Sequence, residues 1–385
     1  MKIILNILTL FFSVLFIIIA LNVLVLLNLL NIFDQKNLPR HWALNSDRFF
    51  LTFYPNTHDK TLKNYTAILG DSIAVGEGDG WVNDNHKYSI AHYLRDIDGE
   101  NYLNFGKPGA NSITSIKEFI FTFKKMKKSI FLPKIEEPKK IIIFFESGDL
   151  VGNYQYYKDF GNSKKIKQFV TDEISNLSNY NHRIFNINFP FIKSSFQVLR
   201  EKAIHYIYLG IVRKILIKYD LKEDKVLIKK KKFKLKNEFI IGEKSFFYND
   251  ALKDPNVTLR DKEKYIGLQI LYESVRYLKN KYPNTIITIV NVPQASSIYD
   301  WKYPITFEED LLNRKVLVQN SAHLKKTGLI SDKIKFFAKG ENIGYINTVS
   351  ELSKIAKYEY IHGKRDLTHY NLKGYEYIAN IISLK

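Results

Sequence analysis

Lys139-Lys140-Ile141-Ile142-Ile143-Phe144-Phe145-Glu146 is the stretch that decides the fold. Five consecutive apolar, β-favouring side chains between charged residues read as a short strand covered on both faces. That is the pattern of a parallel sheet, not of a half-exposed antiparallel one. Working outward, Tyr65–Leu69 reads as a second buried strand ending at Gly70, and Asn101–Phe105 as a short third. Thr285–Val292 is a further run, halted by Pro293, and Tyr345–Val349 a weaker fifth. Helices fit between them. Lys264–Lys281 carries Tyr265, Leu268, Leu271, Tyr272, Val275 and Leu278 along one stripe and stops at Tyr282-Pro283. Tyr370–Ser383 carries Leu372, Tyr375, Ile378, Ala379 and Ile382 at similar spacing. Strands alternating with helices predict an α/β fold, a doubly wound parallel sheet that binds ligands at the carboxyl ends of its strands.

Composition narrows the chemistry. No cysteine is present, which excludes disulfides, thiolate metal sites and a Cys nucleophile. The net charge of +19 invites an anionic partner. The lysines are scattered through the whole chain, however, and no nucleic-acid motif accompanies them, so they read as solvated faces and no nucleic-acid partner is expected.

From Ile3 to Phe33 the chain carries no charge. A bilayer core needs roughly 20 apolar residues as a helix, and no small-residue cleavage pattern follows, so residues 1–33 are expected to be an uncleaved transmembrane anchor. Lys2 before the run and Lys36, Arg40 and Arg48 after it leave the positive-inside count undecided. A single anchor ahead of a soluble domain places that domain outside the cytoplasm, in the periplasm or at the cell surface. Residues 34–64 then form a linker and 65–385 the main domain. Within it, about 160–260 break the strand–helix rhythm and read as an insertion. Val198–Tyr219 is a helix candidate there, and Lys225–Lys236 a basic run. Three readings stay open for that pair: an accessory subdomain, a face against anionic membrane, or a solvated lysine loop.

Two motifs carry chemistry. Gly70-Asp71-Ser72 follows a buried strand directly, which puts the Ser72 hydroxyl at the strand's carboxyl end, near the amides that open the next helix. Far along the chain, Asp366-Leu367-Thr368-His369 places an acid and an imidazole three residues apart, on a loop entering a helix. A serine nucleophile needs a base for its proton, and that base needs an acid to hold its tautomer. Each motif alone is commonly a turn or a cap. Together, in a five-strand α/β pattern, they point to nucleophilic catalysis.

On these residues the chain resembles the SGNH hydrolases, the GDSL-like esterases and lipases. The resemblance covers about Tyr65 to the C-terminus, without the insertion. Gly70-Asp71-Ser72 with Gly76 matches the first block, Asn104-Phe105-Gly106-Lys107-Pro108-Gly109 the second, and Asp366 and His369 with Gly374-Tyr375 the last. It implies a flavodoxin-like three-layer α/β/α fold with about five parallel strands. It also implies Ser72 as nucleophile, His369 as base, Asp366 as its orienting acid, and an oxyanion hole from the Ser72 and Gly109 amides. No metal or organic cofactor is implied. The third block departs: Phe145-Glu146-Ser147-Gly148-Asp149-Leu150 has Gly148 where the family places a donating Asn, and Asn153 is the nearest residue that can replace it. Family and anchor together imply O-acyl esters of cell-envelope carbohydrate, acetyl esters above all, as substrate. The alternatives are a lipid ester, acyl transfer in place of hydrolysis, or a catalytically weakened domain that binds glycan.

Overall fold

The computed structural model describes residues 2–26, 61–76, 78, 90–128, 134–161, 163–177, 237–248, 252, 254, 259–309, 314–363 and 366–385. The helices are α1 (Lys2–Leu26), α2 (Ser72–Val75), α3 (Ile90–Asp98), α4 (Ser112–Lys128), α5 (Asp149–Phe160), α6 (Ile166–Ser175), α7 (Asp261–Lys281), α8 (Asn320–Gly340), α9 (Val349–Ala356) and α10 (Leu372–Ser383). The strands run β1 (Thr61–Leu62), β2 (Tyr65–Leu69), β3 (Asn101–Asn104), β4 (Lys134–Ile135), β5 (Lys140–Phe145), β6 (Asn237–Ile241) and β7 (Lys244–Tyr248). They continue with β8 (Ile286–Asn291), β9 (Asp300–Trp301), β10 (Ile305–Glu309), β11 (Arg314–Val318), β12 (Gly344–Asn347), β13 (His362–Gly363) and β14 (Asp366–Tyr370).

The five runs expected to be strands are the five strands of one sheet, in the order β12-β8-β5-β2-β3. Every neighbouring pair is parallel. Numbered by their appearance in the chain, they stand 2-1-3-4-5, the flavodoxin-like order, with its topological switch between β2 and β5. Alternation along each strand sends side chains to two cores. Tyr65, Ala67, Leu69, Ile141, Ile143 and Phe145 meet buried residues of α4, α5, α6, α7 and α8 on one face. Ile68, Ile142, Phe144 and Val290 meet α3, α9 and α10 on the other. Helices on both faces make three layers.

Sequence periodicity placed the two longest-argued helices well. In α7 the expected stripe is buried except for Tyr265, which lies 57% exposed. The last helix begins at Leu372, because Tyr370 belongs to β14 and Asn371 caps it by accepting from the Gly374 amide. The Asp366–His369 segment is accordingly not a plain loop. It pairs antiparallel with β13 through a bulge, His362 standing opposite Tyr370 and Gly363 opposite Asp366. The expected linker carries β1, which pairs with β4. In the expected insertion, β6 and β7 form a hairpin that docks through β6 onto β9. Val198–Tyr219 and Lys225–Lys236 lie outside the described residues.

The helix α1 covers most of the uncharged N-terminal run, and Leu10, Phe11, Phe12 and Phe16 are exposed on it. Among the described residues no helix is long and apolar enough to cross a membrane.

Helices α5 and α7 approach closely at Gly267, where a Cβ would lie 2.7 Å from the Leu150 carbonyl oxygen and 3.2 Å from its Cα. Backbone atoms cannot swing aside as a side chain does. Gly267→Ala should therefore destabilise the domain by about 1–3 kcal/mol. A lowered denaturant midpoint with an unchanged slope checks this.

Candidate active site

The strand β2 ends at Leu69, and Gly70 turns the chain with φ +151°. A Cβ there would meet Ala74 Cβ at 2.8 Å and Phe144 Cβ at 2.9 Å, so glycine is what allows the turn to sit against β5. Asp71 caps the single turn of α2 by accepting from the Ile73 amide at 2.9 Å. Ser72 opens that turn, half-buried.

The loop after β3 is stitched to the same turn. Asn104 donates from Nδ2 to the Ala74 carbonyl at 2.7 Å, while its Oδ1 accepts from the Gly106 amide at 2.8 Å. The Lys107 amide reaches the Gly70 carbonyl at 2.9 Å. Gly109 lies beyond, exposed, at φ +66°.

From the other end of the chain, β14 brings His369 to the turn: Nε2 and Ser72 Oγ lie 2.9 Å apart. Several neighbours hold that strand. Tyr370 is fully buried and donates from its hydroxyl to the Pro293 carbonyl. Asn371 donates to the carbonyls of Tyr360 and His362, at 2.7 and 3.2 Å. Gly78 (φ +137°) lies against the strand so closely that a Cβ would come 2.5 Å from the Tyr370 carbonyl oxygen. Asp366 opens β14, three residues before His369, and its side chain lies outside the described residues.

Behind the turn stands a group of buried carboxyls. Burial raises the Asp71 carboxyl above its ordinary value, while the Ile73 amide and the His369 charge act against the rise. Burial pushes Glu146 up to about 8; the Asp71 charge adds to this and a hydrogen bond from Gln294 opposes it. Asp149 is raised well above the carboxylate range by burial, then by Asp71 and Glu146.

One expectation, Asn153 as an oxyanion donor, does not fit the structure. Asn153 is fully buried, and its amide is spent elsewhere: Nδ2 donates to Ser112 Oγ and to the Gly267 carbonyl, both at 3.0 Å, and Oδ1 accepts from the Ser112 amide at 2.9 Å. It ties α5 to α4 and α7 and has no hydrogen left for an oxyanion. Nor is the space at Gly148 free for an amide side chain, since a Cβ there would lie 2.3 Å from Glu146 Oε1. Asn104 and Glu146 stand within the motif blocks named from sequence but were given no role there, and Gln294 was not singled out. For Glu146 a signal existed: a carboxylate ends the most apolar strand, at the carboxyl edge where ligands bind.

No protein-family model matches the chain, and no curated protein does. Solved structures overlap it loosely. A G-D-S-L family protein assigned as lipolytic, from Desulfitobacterium hafniense, is 10% identical with a TM-score of 0.35, covering 84% of this chain and 99% of that one. A single-residue variant of a Geobacillus acetyl-xylooligosaccharide esterase is 11% identical with a TM-score of 0.35, covering 83% and 92%. An alpha/beta hydrolase from the metagenome of Lake Arreo, Spain, is 9% identical with a TM-score of 0.34, covering 84% and 94%. Overlaps at this level carry no argument for chemistry, which rests on this chain's own residues.

Glu146 binds its proton more tightly in the folded chain than at its ordinary value of 4.5. The stability it contributes is therefore full below about pH 4.5 and is lost as pH rises toward about 8. Unfolding midpoints should fall across that window, and less steeply in Glu146→Gln. Asn153→Ala should cost about 1–3 kcal/mol at every pH, through the groups it leaves unpaired. Denaturant titrations at several pH values check both.

Proposed function

We propose that the chain is a serine esterase in which Ser72 attacks an ester carbonyl, with His369 as base and Asp366 as the acid that orients it. The observation that carries this reading is the 2.9 Å approach of His369 Nε2 to Ser72 Oγ, across 297 residues of sequence, beside the switch point of the sheet. A nucleophile and base within hydrogen-bond reach, at the strand edge where α/β sheets bind ligands, form the working pair of acyl transfer.

The chemistry then runs in two halves. Ser72 Oγ bonds to the carbonyl carbon as its proton passes to His369 Nε2, and the carbonyl oxygen takes up negative charge. The Ser72 and Gly109 amides are its proposed partners. When the carbon–oxygen bond to the alcohol breaks, His369 returns the proton to the leaving oxygen. Water, deprotonated by His369, next attacks the acyl-enzyme and releases the acid with Ser72 restored. In this proposal the substrate is an O-acyl ester, acetyl first, on cell-envelope carbohydrate. The uncharged run from Ile3 to Phe33 supports a membrane tether, and a single anchor ahead of the domain is the reason for proposing that domain outside the cytoplasm. A second reading, a weakened domain that binds glycan, is favoured by one observation: neither Gly148 nor Asn153 offers a free amide to the oxyanion.

A fluorophosphonate probe should add to Ser72 in the full chain, and Ser72→Ala should abolish both the adduct and ester turnover. His369→Ala should do nearly equal damage, because members of a triad act as a unit. Asp366→Asn should keep the fold and slow acylation by about 10⁴-fold through the wrong tautomer. An adduct that persists in Ser72→Ala would move the chemistry to another serine.

For the tether, protease added to intact spheroplasts should digest the domain beyond Phe33. Protection of that domain would overturn its placement outside the cytoplasm.

A further inference from the structure

Glu146 follows β5 at the sheet edge from which Ser72 also rises. Strands β2 and β5 run parallel with Leu69 beside Ile143. Three residues further along each lie Ser72 and Glu146, so both rise from the same edge of the sheet. The Glu146 side chain is buried, and its carboxyl fills the space in which a side chain at position 148 would begin.

Its hydrogen bonds are lopsided. Oε1 accepts from the Gly148 amide at 3.1 Å and from Gln294 Nε2 at 2.7 Å. Among the described residues no donor reaches Oε2. With burial and neighbouring carboxyls opposing its charge, an ionised Glu146 is costly here. A protonated carboxyl fits the pattern: Oε1 is the carbonyl oxygen that accepts twice, and Oε2 carries a hydrogen that needs an acceptor.

We propose that Glu146 is a catalytic residue of the esterase site, its protonated carboxyl donating from Oε2 to the oxygen that gains charge when Ser72 attacks. The proposal rests on the esterase reading. No proton is transferred in this step; the carboxyl keeps its hydrogen and the bond tightens as charge develops. A carboxylic acid can hold that role near neutrality only where its surroundings keep it un-ionised. The surroundings here do. Asp71 faces it from the α2 turn, Asp149 from α5, and Asp254 from the chain before α7, where it accepts from Ser296 Oγ at 2.7 Å and lies 3.2 Å from His323 Nε2. Tyr370 faces it from β14, and His369 sits beyond, acting on Asp71. Burial and like charge together push Glu146 up to about 8.

The test uses the full-length chain in detergent, with p-nitrophenyl acetate as substrate and a fluorophosphonate as probe. Wild-type kcat should fall as pH rises through about 8, as the donor ionises. Glu146→Ala should lower kcat about 10²–10³-fold below that pH, with KM changing less. Glu146→Gln, whose neutral amide still donates, should stay within about 10-fold of wild type and lose the fall above about pH 8. Gly148→Asn alone should lower activity by displacing the Glu146 carboxyl. Combined with Glu146→Ala, it should restore part of the rate, now without the alkaline fall. Circular dichroism confirms that each variant folds. If Ser72 is labelled and turns over ester, yet Glu146→Gln keeps the wild-type pH profile, the proposal is overturned and the esterase reading stands. If wild type neither labels at Ser72 nor hydrolyses the ester, both fall together.

Discussion

At Gly70 the chain leaves a strand buried on both faces and turns into a helix with no room for a Cβ, pressed between Ala74 and Phe144. The arrangement of the site depends on that close approach. It sets Asp71 as the cap of the following turn and raises Ser72 at the mouth of the sheet. It also lets the loop after β3 bond back to the Gly70 carbonyl through Lys107, while Asn104 clamps the far side of the turn. A larger residue at 70 would push β2 and β5 apart where the sheet reverses its strand order, and Ser72 would lose its fixed relation to everything else at that edge.

The second constraint is electrostatic. Asp71, Glu146 and Asp149 gather at the switch point, where burial disfavours their ionised forms and each charge disfavours the next. Hydrogen bonds from Ile73, Gln294, Gly148 and the Glu146 amide relieve part of this. Such an arrangement opposes stability as pH rises, so it is not one that packing alone would select. Perturbed carboxyls collected at a ligand-binding edge are more often found at functional sites than in structural cores.

The histidine is held differently. A ladder of backbone and hydroxyl contacts positions its strand. Tyr370 anchors to Pro293, Asn371 ties back to Tyr360 and His362, and Gly78 closes against the strand from the serine side. With the backbone fixed on both sides of His369, its imidazole meets Ser72 without needing to search.

The five strands and two long helices were legible from local pattern, because burial on both faces leaves runs such as Ile141–Phe145 with no polar residue, and a helix stripe repeats every three to four positions. Ser72 and His369 stood out for a related reason: their types and local contexts made them candidates before their 2.9 Å approach was known. The β6–β7 hairpin, β14 as a bulged strand, and the true partners of Asn153 were not legible, since each depends on elements far away in the chain. The sequence by itself determined the sheet, its layers and Ser72 and His369 as the candidate pair, through periodicity and residue chemistry, which are local. Only the tertiary structure decided that Asn153 ties helices together and that the Glu146 carboxyl occupies the space beside Gly148, because which groups are left unpaired is settled by neighbours brought together from across the fold.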